Sequence, residues 1–292
     1  LREGDGRGIG EGPAAAGAAG LRPASVGVAA LSPMAPVRAR ARPAAAIFER
    51  LPQPPRTAPK AGDAGRGRLR LYLDSASPAQ WDAWAPTGAV YGITTNPSIL
   101  LRDGAPGCGP RALAPLARAA FAAGARELHL QATGSTAAKL YNVGLDLAAL
   151  DARVVVKVVA TRAGLEAAAR LKAAGARVTL TGLMAPEAQV VIAAGLGADF
   201  AAPYCGRISD TPGRDGVAEC AGAQAILDQL QAPTRLLVAS LRSPADVTAL
   251  AAAGCDTFAL SPAVLAALVA CPATDAAAAA FEEAALQLGA EP

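Results

Sequence analysis

Histidine is almost missing from this 292-residue chain. His129 is the only one, which excludes zinc or iron sites that gather several imidazoles. Cysteine is sparse and has no pairing pattern. Cys108, Cys205, Cys220, Cys255 and Cys271 are odd in number and lack CxxC spacing, so they read as reduced thiols of an intracellular compartment, with no disulfide framework and no secretion expected. Lysine is scarce too, at Lys60, Lys139, Lys157 and Lys172 only. No stretch offers about 18 strongly apolar residues free of charge and proline, so no membrane partner is expected.

What is present divides the chain at residue 68. Residues 1–68 carry eleven Lys or Arg against five Asp or Glu, and residues 69–292 carry sixteen against nineteen. The net charge of +3 is therefore a basic leader on a slightly acidic body. That body has no surplus with which to neutralise phosphates along a strand, so no nucleic-acid partner is expected. The leader has few bulky apolar residues and repeated prolines, among them Pro36, Pro43, Pro52, Pro54, Pro55 and Pro59, and disorder is its default. Two readings of it stand side by side. From Met34, MAPVRARARPAAAIFER is Arg-rich and poor in acid, as transit peptides are, which would send the protein to an organelle such as a plastid. Alternatively it is a GC-rich reading frame extended upstream of the true start, and the protein is cytoplasmic.

From Leu69 the pattern becomes short apolar, β-branched runs separated by Ala-rich helical stretches: 69–74, 89–97, 126–133, 153–161, 176–184, 199–207, 234–242 and 255–262. Strand then helix, eight times over about 220 residues, predicts a parallel (β/α)8 TIM barrel. Chemistry in such barrels sits at the C-terminal ends of the strands. Polar residues gather late in the runs: Asp74; Thr94 to Asn96; Gln131 and Thr133; Thr179 and Thr181; Tyr204 and Arg207; Ser240 and Arg242. Any one of them would suit a turn or a helix cap. Six strands aiming polar groups at one rim point to a site.

Lys157 stands in VVVKVVA, inside a strand that packing should bury on both sides. An ammonium there is costly unless it is paired or neutralised. A buried lysine with a lowered pKa is a nucleophile for ketones, forming an iminium that draws electrons from a breaking carbon–carbon bond. The bland reading is an interior ion pair with a carboxylate such as Asp74.

YLDSASPAQW, GITTNPSIL (92–100), VVVKV around Lys157, APYCGRISD (202–210) and VASLRSP (238–244) resemble, in order and spacing, the motifs of the transaldolase and fructose-6-phosphate aldolase family. The resemblance covers nearly the whole body and none of the leader. It implies a metal-free, cofactor-free class I aldolase barrel that acts on sugar phosphates and assembles as a homo-oligomer. Lys157 is then the Schiff-base residue, and Asp74 moves the proton of the sugar's C4 hydroxyl. Thr94 and Asn96 bind substrate hydroxyls and the lysine, and Thr181 stands near the catalytic water. Ser240, Arg242 and Arg207 hold the phosphate, which arginine forks suit on chemical grounds.

Two positions choose a branch. Gln131 and Tyr204 resemble the fructose-6-phosphate aldolase side, where transaldolases usually carry Glu and Phe. A glutamine can hold a water but cannot take its proton, so acid and base work would fall to the phenol. Val159 replaces a usual proline, Thr179 a frequent asparagine, and Arg242 is the transaldolase-like choice. The expectation is an aldolase working on the C3–C4 bond of ketose phosphates such as fructose 6-phosphate. The alternatives are a transaldolase of the pentose phosphate pathway and a catalytically silent sugar-phosphate-binding barrel. Three tempting features are expected to be structural: His129 as a hydrogen-bonded core residue, Cys205 packed under a helix, and Trp81 with Trp84 as helix packing.

Overall fold

The computed structural model describes residues 69–290. The leader and both readings of it lie outside the described residues. The eight apolar runs become eight parallel strands: β1 Arg70–Asp74, β2 Val90–Thr94, β3 Leu128–Gln131, β4 Val154–Val159, β5 Val178–Leu183, β6 Phe200–Pro203, β7 Arg235–Leu236 and β8 Thr257–Leu260. From β1 to β7 each strand pairs with the next in sequence, and β1 also pairs with β8. The sheet closes just past β7. There the Val238 N–H donates to Thr257 O at 3.0 Å, and the Ala259 N–H donates to Val238 O at 2.9 Å. The result is the (β/α)8 barrel that the pattern predicts.

The seventh run departs from expectation. Of residues 234–242 only two form a regular strand, followed by single bridges from Val238 to Phe258 and from Ala239 to Tyr204. Ser240 then turns to φ 60°, a left-handed conformation that ends the extended run.

The intervening helices are α1 Pro78–Trp84, α2 Pro97–Arg102, α3 Pro110–Ala122, α4 Ala137–Ala148, α5 Arg162–Ala173, α6 Pro186–Leu196, α7 Cys205–Ser209, α8 Gly216–Gln229, α9 Pro244–Ala252, α10 Pro262–Val269 and α11 Pro272–Gln287. Seven of them open with proline in the first turn, where its missing N–H costs nothing. Strand-end polar residues often serve as caps: Asn96 accepts from the Ile99 N–H at 3.0 Å, and Ser243 forms a capping box with Asp246. Among the described residues no single helix is long and apolar enough to cross a membrane.

Alternation along each strand makes two cores. Outward side chains such as Leu73, Leu128, Leu130, Val156, Val158 and Leu180 pack under the helices. Inward ones, among them Tyr72, Val155, Phe200, Ala202 and Leu237, fill the barrel. Full burial of a Val, Leu or Phe side chain among them is worth about 1.5 to 3 kcal/mol. Gly92 makes the filling possible, because a Cβ there would meet Tyr72 Cε1 at 2.8 Å and Glu127 O at 2.6 Å. Parity with inward-facing Val155 sends Lys157 into the barrel interior, one step nearer the rim.

Candidate active site

Lys157 lies in register between Gln131 of β3 and Thr179 of β5, with 3% of its surface exposed. Its Nζ donates to the backbone carbonyl of Thr95 at 2.9 Å. That carbonyl is held in place because the Thr95 N–H donates to His129 O at 3.1 Å. The ion pair with Asp74 does not form, since among the described residues no carboxylate lies within 4 Å of Nζ. Asp74 instead accepts a hydrogen bond from the Thr94 hydroxyl at the end of the neighbouring strand. Burial lifts the Asp74 carboxyl above its ordinary range, and the nearby charge of Lys157 and the Thr94 hydroxyl only partly offset that. A carboxyl raised in this way gives and takes a proton more readily at neutral pH.

Across the rim, the Tyr204 phenol and the Thr181 hydroxyl are 3.1 Å apart. The Arg207 guanidinium lies over the Tyr204 ring, 5.0 Å from its centre. Gln131 is partly exposed beside Lys157. The Asn96 Oδ1 caps α2, which fixes the side chain at the rim, and Lys157 bonds to the Thr95 carbonyl rather than to Asn96. Cys205 opens α7 and is buried beside Cys220 of α8, packed under a helix as expected. Trp81 is the buried residue of α1, its indole N–H donating to Ser75 O at 3.0 Å.

The expected phosphate anchors gather where β6 and β7 end. Ser240 keeps its left-handed conformation, and its carbonyl accepts from the Gly206 N–H at 3.0 Å. A non-glycine residue held there carries about 1 to 3 kcal/mol of strain, which surrounding structure retains most often at functional sites. Gly206 is required. A Cβ at that position would meet Ser240 O at 2.3 Å and Arg242 Nε at 2.7 Å, so only glycine lets the Arg242 side chain lie across the start of α7. The Arg242 fork is engaged with Asp210, at 2.7 Å and 2.6 Å.

One layer below Lys157 sits a buried polar chain. The His129 Nδ1 and the Thr179 hydroxyl are 3.0 Å apart, and Nε2 lies 3.6 Å from Glu127, too far for a hydrogen bond. Glu127 also accepts from Arg177 at 2.6 Å and from the Tyr72 hydroxyl. These partners assign the tautomer: a proton on Nε2 faces the carboxylate, and Nδ1 accepts from Thr179. Burial pushes the His129 imidazole down from 6.5 to about 4, although Glu127 pulls it upward.

Acid should destabilise the fold through this imidazole. The unfolded chain takes up the proton near pH 6.5 and the folded chain near 4, so between those values the unfolded state binds more protons. Stability should therefore fall as pH drops through the window, by about 3 kcal/mol from this group. His129→Gln, which is polar but does not titrate, should flatten the slope. Urea midpoints measured from pH 7 to pH 4 decide it, and an equally steep fall in the variant would refute the assignment.

The sequence places Asp74, Thr94, Asn96, Gln131, Thr181, Tyr204, Arg207, Ser240 and Arg242 at one rim and Lys157 inside the fourth strand. The structure brings the former to the last residues of the strands or just beyond them, with Lys157 in the second half of β4. The sequence pattern missed the Thr95 carbonyl, Asp210 and Glu127. Asp210 stood inside the quoted motif APYCGRISD, but its partner is thirty-two residues away. Glu127, beginning a strand as part of RELHLQ, offered only its parity with His129 and Gln131 as a signal.

Fold and site together define a closed (β/α)8 barrel with a buried lysine near the rim where such barrels carry their chemistry. Residues 71–291 match the family model described as Transaldolase/Fructose-6-phosphate aldolase, and the chain belongs to this enzyme family. Curated relatives agree. It is 33% identical over 208 residues to the "Probable transaldolase" of Rhodospirillum centenum, covering 71% of this chain and 87% of that protein. It is 32% identical over 213 residues to the "Probable transaldolase" of Maridesulfovibrio salexigens, covering 73% and 96%. A third "Probable transaldolase", from Phenylobacterium zucineum, is 32% identical over 207 residues, covering 71% and 92%.

Proposed function

We propose that this protein is a Schiff-base aldolase that cleaves or forms the C3–C4 bond of ketose phosphates such as fructose 6-phosphate. The observation that carries the reading is Lys157, an amine almost wholly removed from solvent and aimed into the barrel, with no carboxylate paired to it among the described residues. A buried amine left without a counter-ion is expensive to keep for structure alone.

In this reading Lys157 Nζ adds to the C2 carbonyl and water leaves, giving an iminium. Asp74 takes the C4 hydroxyl proton as the C3–C4 bond breaks, and the bonding pair moves into the iminium to give an enamine. The aldehyde departs with the phosphate end of the sugar. A proton at C3 and a water at C2 then release dihydroxyacetone and free the amine. Tyr204, hydrogen-bonded to Thr181, supplies the proton, and Gln131 holds the water.

A second reading is transfer, in which another aldehyde captures the enamine before a proton does. One observation favours it, that the relatives carry the name transaldolase, and Arg242 resembles the transaldolase choice at its position. Both readings require the same covalent bond. Borohydride reduction in the presence of dihydroxyacetone should add one three-carbon unit to the protein at Lys157, located by peptide mass. Absence of that adduct would sink both and leave a silent sugar-phosphate-binding barrel.

A further inference from the structure

We propose that Asp210 is a specificity-determining residue, an internal anion that occupies the phosphate-binding fork of Arg242 and sets how strongly the site prefers phosphorylated over neutral sugars. The proposal rests on the Schiff-base reading above for its substrates, but on geometry for its mechanism.

The fork is filled on both prongs. Arg242 Nη1 donates to Asp210 Oδ1 at 2.7 Å, and Nη2 to Oδ2 at 2.6 Å. Those two parallel N–H groups are the ones a bidentate phosphate would take. The pairing is built into the backbone. Gly206 leaves room for the Arg242 side chain to lie over α7, and Asp210 caps the far end of that helix, its N–H donating to Gly206 O at 3.1 Å. The Arg242 N–H is tied separately to Asp246 at 3.1 Å, so the arginine is anchored at its root while its head faces the carboxylate. Arg207 sits on the same short helix and lends Asp210 a second, more distant positive charge.

Burial decides how such a pair behaves. Arg242 and Asp210 are 57% and 55% exposed, so the bond is held weakly enough for a ligand to break. A phosphate arriving at the fork displaces the carboxylate and then binds with that negative charge still close by. A neutral sugar displaces nothing and leaves the pair intact. Asp210 therefore weakens phosphate capture specifically, and it keeps Arg242 from standing unpaired when the substrate has no phosphate.

The test measures kcat/KM for dihydroxyacetone addition to glyceraldehyde 3-phosphate and to glyceraldehyde. The ratio of the two should rise about 3- to 10-fold in Asp210→Asn. It should fall in Arg242→Ala, and adding Asp210→Asn to Arg242→Ala should then change nothing. An unchanged or lower ratio in Asp210→Asn would overturn the proposal, as would an undiminished gain in the Arg242→Ala background, which would mean a diffuse charge effect. Asp210→Ser serves as a second variant in case the amide misfolds. Titration with inorganic phosphate reads the same displacement without turnover and should show tighter binding in Asp210→Asn by a similar factor. Failure of borohydride trapping would thus remove the aldolase reading while leaving the Asp210 result to stand or fall alone.

Discussion

Turnover is expected to disappear in Lys157→Ala, with kcat lower by on the order of 10⁴-fold or more and the barrel still folded. No other amine among the described residues can take its place: Lys139 is exposed on α4, and Lys172 on α5 is bound to Asp199 at 2.7 Å. The effect on stability is a contest of terms. Removing the amine relieves the cost of keeping it in an apolar interior, but it leaves the Thr95 carbonyl without its donor and opens a cavity between β3 and β5. The net change should be within about 2 kcal/mol. Lys157→Met separates the terms, because it fills the space and removes only the amine. It should be as inactive as the alanine variant and more stable. Measured kcat and urea unfolding of both variants check this, and activity surviving in either would place the nucleophile elsewhere.

Lys157 was legible because it breaks its own pattern. A lysine after three valines and before two more contradicts everything that local propensity and burial ask of a strand, and such contradictions mark functional sites. The barrel was legible for the opposite reason: eight runs agree with one architecture, and alternation then fixes which side chains face inward. The seventh run shows the limit. Thr234 to Arg242 reads as one strand, yet its regular ladder covers only Arg235–Leu236, single bridges carry it on to Val238 and Ala239, and Ser240 then turns left-handed and ends it. Serine does not announce that conformation, as glycine and, less strongly, asparagine and aspartate do.

Pairings were harder to read than positions. Asp74 was visible as a rim carboxylate, but its separation from Lys157 depends on Thr94 and Thr95 occupying both groups first. A backbone carbonyl such as that of Thr95 has no letter of its own, so no sequence pattern reveals that it receives the amine. Arg242 was visible as an anion binder, whereas its internal anion is an ordinary aspartate until the fold brings α7 beside β7. His129 shows what parity can deliver. Sharing a face with Gln131, it was expected to be a hydrogen-bonded core residue, and it meets Thr179 directly beneath the catalytic layer.

Tyr204→Phe should depress cleavage of fructose 6-phosphate by about 100-fold or more, the scale of losing a positioned proton donor. The phenol is the acidic group that touches the Thr181 hydroxyl, and the substitution leaves that buried hydroxyl without its partner while changing the ring very little. Cleavage needs a proton delivered to the enamine and a water steered to the iminium. Transfer to erythrose 4-phosphate needs neither until the new bond has formed, because the acceptor aldehyde takes the electron pair and Asp74 can return the proton to its oxygen. Transfer should therefore fall less than cleavage in the same variant. Adding Gln131→Glu places a base beside Lys157 and should restore part of the lost cleavage. Rates of cleavage and transfer in the wild type, the single variant and the double variant separate the two readings. Equal losses in both reactions would remove Tyr204 from the proton path, and a wild type that transfers much faster than it cleaves would make transaldolase the right reading.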